Sequence, residues 1–119
     1  MTEFTPEKVY VVCGYTDLRR GIDGLTAQIE QEFGLNLFDK ALFLFCGRRT
    51  DRIKAIYWDE NGMVLLYKRL EGGNHFQWPR TESEAKEITA QQYRWLMEGL
   101  KLEQPKANKA VNTEHLCFS

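Results

Sequence analysis

Arg52-Ile53-Lys54-Ala55-Ile56-Tyr57-Trp58, Asp59-Glu60-Asn61-Gly62 and Met63-Val64-Leu65-Leu66-Tyr67-Lys68-Arg69-Leu70 together decide the fold. Two runs of β-branched, aliphatic and aromatic residues flank an Asn-Gly step, the strongest short-range hairpin signal, because tight hairpin turns favour residues that tolerate positive φ. With Asn61-Gly62 as a two-residue turn, Glu60 faces Met63 and the register follows. One face then carries Arg52 opposite Glu71, Lys54 opposite Arg69, Ile56 opposite Tyr67 and Trp58 opposite Leu65. The other carries Ile53 opposite Leu70, Ala55 opposite Lys68, Tyr57 opposite Leu66 and Asp59 opposite Val64. The second face reads as core. The first mixes cations with large aromatics, as surfaces that track a phosphate backbone and stack bases do.

Upstream, residues 8–13 form an uninterrupted β-branched and aromatic run, a first strand ended by Gly14. Leu18, Ile22, Leu25, Ile29 and Phe33 then recur at steps of three and four, which predicts a helix from Thr16 or Asp17 to Phe33. Thr16 or Asp17 would cap it and Gly34 would supply a left-handed stop. Gly21 and Gly24 fall inside this span, each costing about 1 kcal/mol relative to Ala, as where another group must approach closely. The run Ala41–Cys46 has no polar residue, as expected of a strand covered on both faces. Downstream, residues 75–79 suggest a short edge strand ended by Pro79. Thr89 and Gln92 form a capping box for a last helix, with Ile88 and Tyr93 as its hydrophobic staple and Gly99 as its stop. The reading is one α+β domain over residues 1–104: an antiparallel sheet of about four strands with two packed helices. Residues 105–119 read as a flexible tail.

Composition narrows function. The chain of 119 residues is long enough for one modest core, and its net charge of −1 excludes a generally polycationic surface. The charge is polarised, however: residues 41–80 hold 7 Lys/Arg against 4 Asp/Glu, together with most of the strand signals and 7 of the 15 aromatics. No apolar run approaches the ~20 residues of a membrane span, and the acidic start is unlike a signal peptide, so a cytoplasmic protein without membrane association is expected. Cys13, Cys46 and Cys117 form no Cys-x-x-Cys pair, and Cys13 and Cys46 sit in apolar runs as buried thiols. Phosphate-loop, dinucleotide and nucleophile-elbow motifs are absent, which implies no nucleotide cofactor. Asp17, Asp23, Asp51 and Asp59 could furnish carboxylates for a metal, but helix capping, an Asp23–Arg19 pair and turn formation account for them. No metal and no catalytic residue is therefore assigned.

The segment Gly47-Arg48-Arg49-Thr50-Asp51-Arg52-Ile53-Lys54 brings four cations and one acid to a turn and strand start, where long side chains can reach phosphates. The duller alternative is a solvated turn with an Arg–Asp pair.

Three blocks are recognisable: Gly14 to Leu25, Leu42 to Lys54, and Tyr57 to Gly62 running on through Leu66–Glu71 and Phe76–Pro79. Over roughly residues 8–100 the chain resembles the TnpB accessory family of insertion-sequence-66-type transposable elements, unrelated to the larger RNA-guided nuclease that shares the name. The resemblance implies a role beside a separate transposase and another accessory protein of the same element, through DNA binding or assembly on the element ends. It supplies no catalytic residues. Two departures stand out: Cys46 occupies a position where the family often has Arg, and the 72–75 loop is a residue longer and lacks its usual Arg.

Three functions follow from these readings. The first is a non-catalytic, DNA-binding accessory factor, with Arg48, Arg49, Arg52, Lys54, Lys68 and Arg69 on the backbone and Trp58 and Tyr67 as stacking or shape contacts. Lys68 is the odd member, since the register puts it on the core face. The second is an adaptor that docks the transposase without touching DNA, which the sequence pI of about 6.1 favours. The third is a metal-dependent nuclease using Asp17, Asp51 or Asp59. The first is the expectation carried forward. The residues leave the oligomeric state open.

Overall fold

A computed structural model describes residues 6–81 and 84–105. Most of the acidic start, Cys117 and nearly all of the 105–119 tail lie outside these residues. In chain order the elements are β1 (Lys8–Val12), α1 (Ile22–Phe33), β2 (Ala41–Cys46), β3 (Arg52–Asp59), β4 (Gly62–Arg69), β5 (Ala85–Ile88) and α2 (Ala90–Met97). The five strands form one sheet in the order β4-β3-β2-β1-β5, so the α+β reading stands with one strand more than expected.

The all-antiparallel sheet does not hold. β1 pairs with β2 in parallel, Lys8 opposite Ala41 through Val11 opposite Leu44, while every other pairing is antiparallel. The reason is topological. α1 carries the chain back across the sheet between β1 and β2, and a strand that resumes after such a crossover runs parallel to the first. β2 lies at the centre of the sheet and is buried along its whole length, as its unbroken apolar sequence requires.

Side chains alternate between two buried layers. On one face α1 packs Leu25 and Ile29 against Val12, Phe43, Phe45 and Ile56, with Met63 and Leu65 at the margin. On the other, Leu96 of α2 joins Val11, Leu44, Ile53, Tyr57, Phe76, Trp78 and Leu102. The hairpin face read as a surface for phosphate and base contacts is therefore half covered. Its middle, Ile56, is fully buried beneath α1, and only its two ends are open.

The hairpin register also differs. Asp59 pairs with Gly62, so the turn residues are Glu60 and Asn61, and each pairing moves two positions along β4. The same residues share each face, but Ala55 now meets Leu66 rather than Lys68, and Ile56 meets Leu65 rather than Tyr67. The slip exchanges cross-strand pairs rather than adding apolar ones: Ala55 gains Leu66, while Ile53 now faces Lys68 and Arg52 faces Arg69. The cost is carried by Glu60, whose φ of 52° lies in the left-handed region and is worth about 1–2 kcal/mol for a residue with a Cβ.

Two further expectations shift. α1 starts at Ile22, not at Thr16 or Asp17. Gly21 is its extended N-cap, and Leu18 sits in a preceding turn while still packing into the α1 layer. At the far end Gly34 adopts φ 61° and its N–H donates to the Glu30 carbonyl, the expected left-handed stop. Residues 75–79 are not a strand. They cross the end of the sheet, where the Phe76 N–H donates to the Thr50 carbonyl (2.7 Å), the buried Trp78 indole N–H donates to the Val12 carbonyl (2.9 Å), and the Pro79 carbonyl accepts from Gly14 (2.8 Å). The edge strand is instead Ala85–Ile88, half of whose residues are charged. An edge needs little apolar surface, and charge there discourages pairing with another chain. The capping box of α2 is present as read, with the Thr89 hydroxyl accepting from Gln92 N–H and the Gln92 side chain accepting from Thr89 N–H.

Candidate nucleic-acid interface

At the β2–β3 end of the sheet, beyond the reach of α1, two loops face each other. The first, Tyr15 to Arg20, leads into α1 and is held to the sheet by the Thr16 N–H, which donates to the Cys46 carbonyl (2.9 Å). The second is the turn Gly47 to Asp51. Thr50, at φ 56°, closes it with an N–H donated to the Gly47 carbonyl (3.0 Å), and His75 Nδ1 lies 3.0 Å from the Arg49 carbonyl. Gly47 lets the two loops pack closely: a Cβ there would sit 3.2 Å from Leu18 Cδ1, which would have to shift by a few tenths of an ångström. Between them lies a groove of about 540 Å³ lined by Tyr15, Thr16, Asp17, Leu18, Arg19, Gly47, Arg48, Arg49, Arg52 and Tyr67.

Four guanidiniums converge on this groove, but they are not equivalent. Arg19 pairs with Asp17 (Nη2 to Oδ2 3.0 Å), and Arg52 grips Asp51 with two bonds of 2.8 and 3.1 Å. The Arg19 guanidinium holds the Asp17 carboxyl down at about 2, and Arg52 likewise lowers Asp51, so both acids are charged at neutral pH. Arg48 and Arg49 are exposed and have no carboxylate partner among the described residues. Arg49 lies near enough to help lower Asp51, but neither arginine is engaged in an ion pair among the described residues. Tyr67, on the edge strand β4, and Tyr15 expose 52% and 40% of their surface at its rim, and the Arg80 guanidinium lies 6.0 Å from the Tyr15 ring centroid. Thr16 is 6% exposed, and its hydroxyl has no hydrogen-bond partner among the described residues.

The eight residues singled out from sequence divide accordingly. Arg48, Arg49, Arg52 and Tyr67 meet in the groove. Lys54 lies on the same face, opposite Tyr67, but its Nζ donates to the Arg20 carbonyl (3.1 Å) and ties β3 to the first loop. Arg69 is opposite Arg52 and pairs with Glu71 (3.0 Å). Lys68 is exposed, because the core on its face ends at Ile53. Trp58 is six residues from Arg52, about 20 Å along an extended strand, and rests edge-on against Phe38 (4.8 Å between centroids). It belongs to the opposite end of the hairpin.

Sequence reasoning missed Tyr15, Thr16 and Arg19, since a helix starting at Thr16 would turn these side chains elsewhere. The signal present was Gly21, a poor helix-interior residue that serves as the N-cap of α1, whereas Gly24 lies within the helix. Asp23 makes no pair with Arg19, which Asp17 holds. Among the described residues no group of three or more His, Cys, Asp or Glu side chains could hold a metal ion, and no helix is long and apolar enough to cross a membrane.

The family described as IS66 Orf2-like protein, TnpB_IS66, matches residues 7–107. Two proteins of Sinorhizobium fredii (strain NBRC 101917 / NGR234) are similar. The uncharacterized protein y4hO is 34% identical over 83% of this chain and 85% of its own length. The uncharacterized protein y4jC is 32% identical over 78% of this chain and 79% of its own. No solved structure matches the chain.

Proposed function

Because the chain belongs to the IS66 Orf2-like family, with an accessory role in transposition, we propose that it is a non-catalytic cytoplasmic factor that contacts the element's DNA. It would do so through the basic groove at the β2–β3 end rather than through the whole hairpin face. One observation carries this reading: Arg48 and Arg49 project without ion-pair partners among the described residues, beside Arg52, Arg19 and Tyr67. Unpaired guanidiniums on a rigid turn suit phosphate oxygens, which they bind bidentately. Each phosphate so contacted displaces counterions and adds close to one unit to the salt dependence. Arg69, on the same face of β4 as Tyr67, extends this surface, while Lys68 faces the opposite side of the sheet.

The test is fluorescence anisotropy with DNA carrying the element's terminal sequences, from about 50 to about 300 mM salt, for the native chain and Arg48→Gln plus Arg49→Gln. Both arginines are exposed, so the double variant should fold. Affinity that falls steeply with salt and at least about tenfold in the variant is the expected result. A signal near zero for every DNA would overturn the reading.

A second reading has its own support. Leu66 and Tyr67, 39% and 52% exposed, stand on an edge strand, and the net charge is only −1. Such an edge suits docking of the separate transposase or the element's other accessory protein by strand addition. Capture of purified transposase in the absence of DNA, lost on Leu66→Lys, would favour it.

A further inference from the structure

The groove's shape and lining distinguish between the two forms in which DNA presents its phosphates. In a duplex the bases stack on one another, and a protein meets only their edges and the backbone. In an unpaired strand the base faces are free, and proteins that hold such strands interleave cations with exposed aromatic rings. Here the groove is concave, of about 540 Å³, within the range of sites that enclose a small ligand. Free guanidiniums lie on one wall and tyrosines at its rim, with Leu18 between. Arg80 over the Tyr15 ring adds a further cation nearby. A second, independent feature is Thr16: its side chain lines the groove, is 94% buried, and leaves its hydroxyl without a partner among the described residues. The hydroxyl oxygen exposes less than 1 Å², so a phosphate oxygen entering the groove accepts its proton in a hydrogen bond once the side chain rotates toward it.

We propose that this groove holds one unpaired strand of DNA, its phosphates against Arg48, Arg49 and Thr16 and its bases on Tyr67 and Tyr15. The assignment rests on the DNA-binding reading and names the form of DNA. Trp58 takes no part, being at the other end of β3. The paired Arg19 and Arg52 line the groove with their charge offset: their acids halve the groove's net charge, so that the strand is held by stacking as much as by attraction.

The experiment compares a fluorescein-labelled single strand of about 12 nucleotides with a duplex of the same length and sequence, and with the corresponding single-stranded RNA, on the full chain at fixed salt. Tyr67→Ala and Tyr67→Phe are measured alongside. Tyr67 is exposed on an edge strand, and Phe keeps the ring, so folding and stacking are separable. The single strand should bind roughly tenfold or more tightly than the duplex. Tyr67→Ala should weaken single-strand binding roughly five- to hundredfold while Tyr67→Phe stays near the native value. Equal or tighter binding of duplex, or an unchanged single-strand affinity in Tyr67→Ala, would overturn the proposal while leaving DNA binding intact. Tighter binding of the RNA would overturn the assignment to DNA. Failure of all three nucleic acids to bind would overturn the parent reading with it.

Discussion

Replacing Thr16 by Val tests whether the groove stores an unmet hydrogen-bonding need. The two side chains have the same shape, and position 16 is 6% exposed, so the exchange removes a hydroxyl and adds a methyl with little repacking. A buried polar group without a partner costs about 1–3 kcal/mol, and burying one additional methyl contributes about 0.8 kcal/mol. The backbone bond from Thr16 N–H to the Cys46 carbonyl is kept. A gain of about 2–4 kcal/mol in stability is therefore expected, which in a domain of this size raises the Tm by roughly 8–16 °C. Urea unfolding followed by tryptophan fluorescence should show a higher midpoint at an unchanged slope. DNA affinity should move the opposite way, falling roughly three- to tenfold, since a hydrogen bond to a charged phosphate oxygen is lost. Thr16→Ser keeps the hydroxyl and should retain affinity while losing stability. A Thr16→Val protein destabilised by about 1 kcal/mol or more would mean that the hydroxyl already has a partner in the folded chain. The argument from its isolation would then fail.

Two other outcomes follow from the buried layers. Trp78→Phe removes the indole N–H that reaches the Val12 carbonyl across the sheet end, and should cost about 2 kcal/mol by urea unfolding. A loss below about 0.5 kcal/mol would show that the bond is dispensable. Burial pushes the Cys46 thiol up to about 12, from an ordinary value near 8.5. Its folded value lies above its unfolded one, so the stabilisation from the neutral thiol is whole below about pH 8.5 and is lost as pH rises toward 12, where only the unfolded chain gains by ionising. Cys46→Ala should flatten that alkaline decline. In a Cys117→Ser background, native protein treated with iodoacetamide at mildly alkaline pH should show no alkylation of Cys46 by mass spectrometry.

The elements that sequence alone determined are those whose signals are local. The unbroken apolar run 41–46 could only be a central strand, because nothing in it tolerates water. Thr89 and Gln92 satisfy each other's backbone donors within four residues, and Gly34 supplies its own left-handed stop. The basic turn 47–52 and the sharing of faces within the hairpin were equally legible, since side chains alternate along a strand whatever its exact partner. What only the tertiary structure decided is whatever depends on partners far along the chain. The parallel pairing of β1 with β2 comes from where α1 packs. The charged edge strand 85–88 exists because β1 offers it a ladder, not because its residues ask for one. The hairpin sits two positions from the register that its Asn-Gly step favours, at the expense of Glu60 in the left-handed region, which no residue of the turn itself announces. The groove has the same origin. Tyr15, Thr16 and Arg19 carry no local mark of function, and they meet Arg48, Arg49 and Tyr67 only because Leu18 closes over Gly47 when the two loops come together at the end of the sheet.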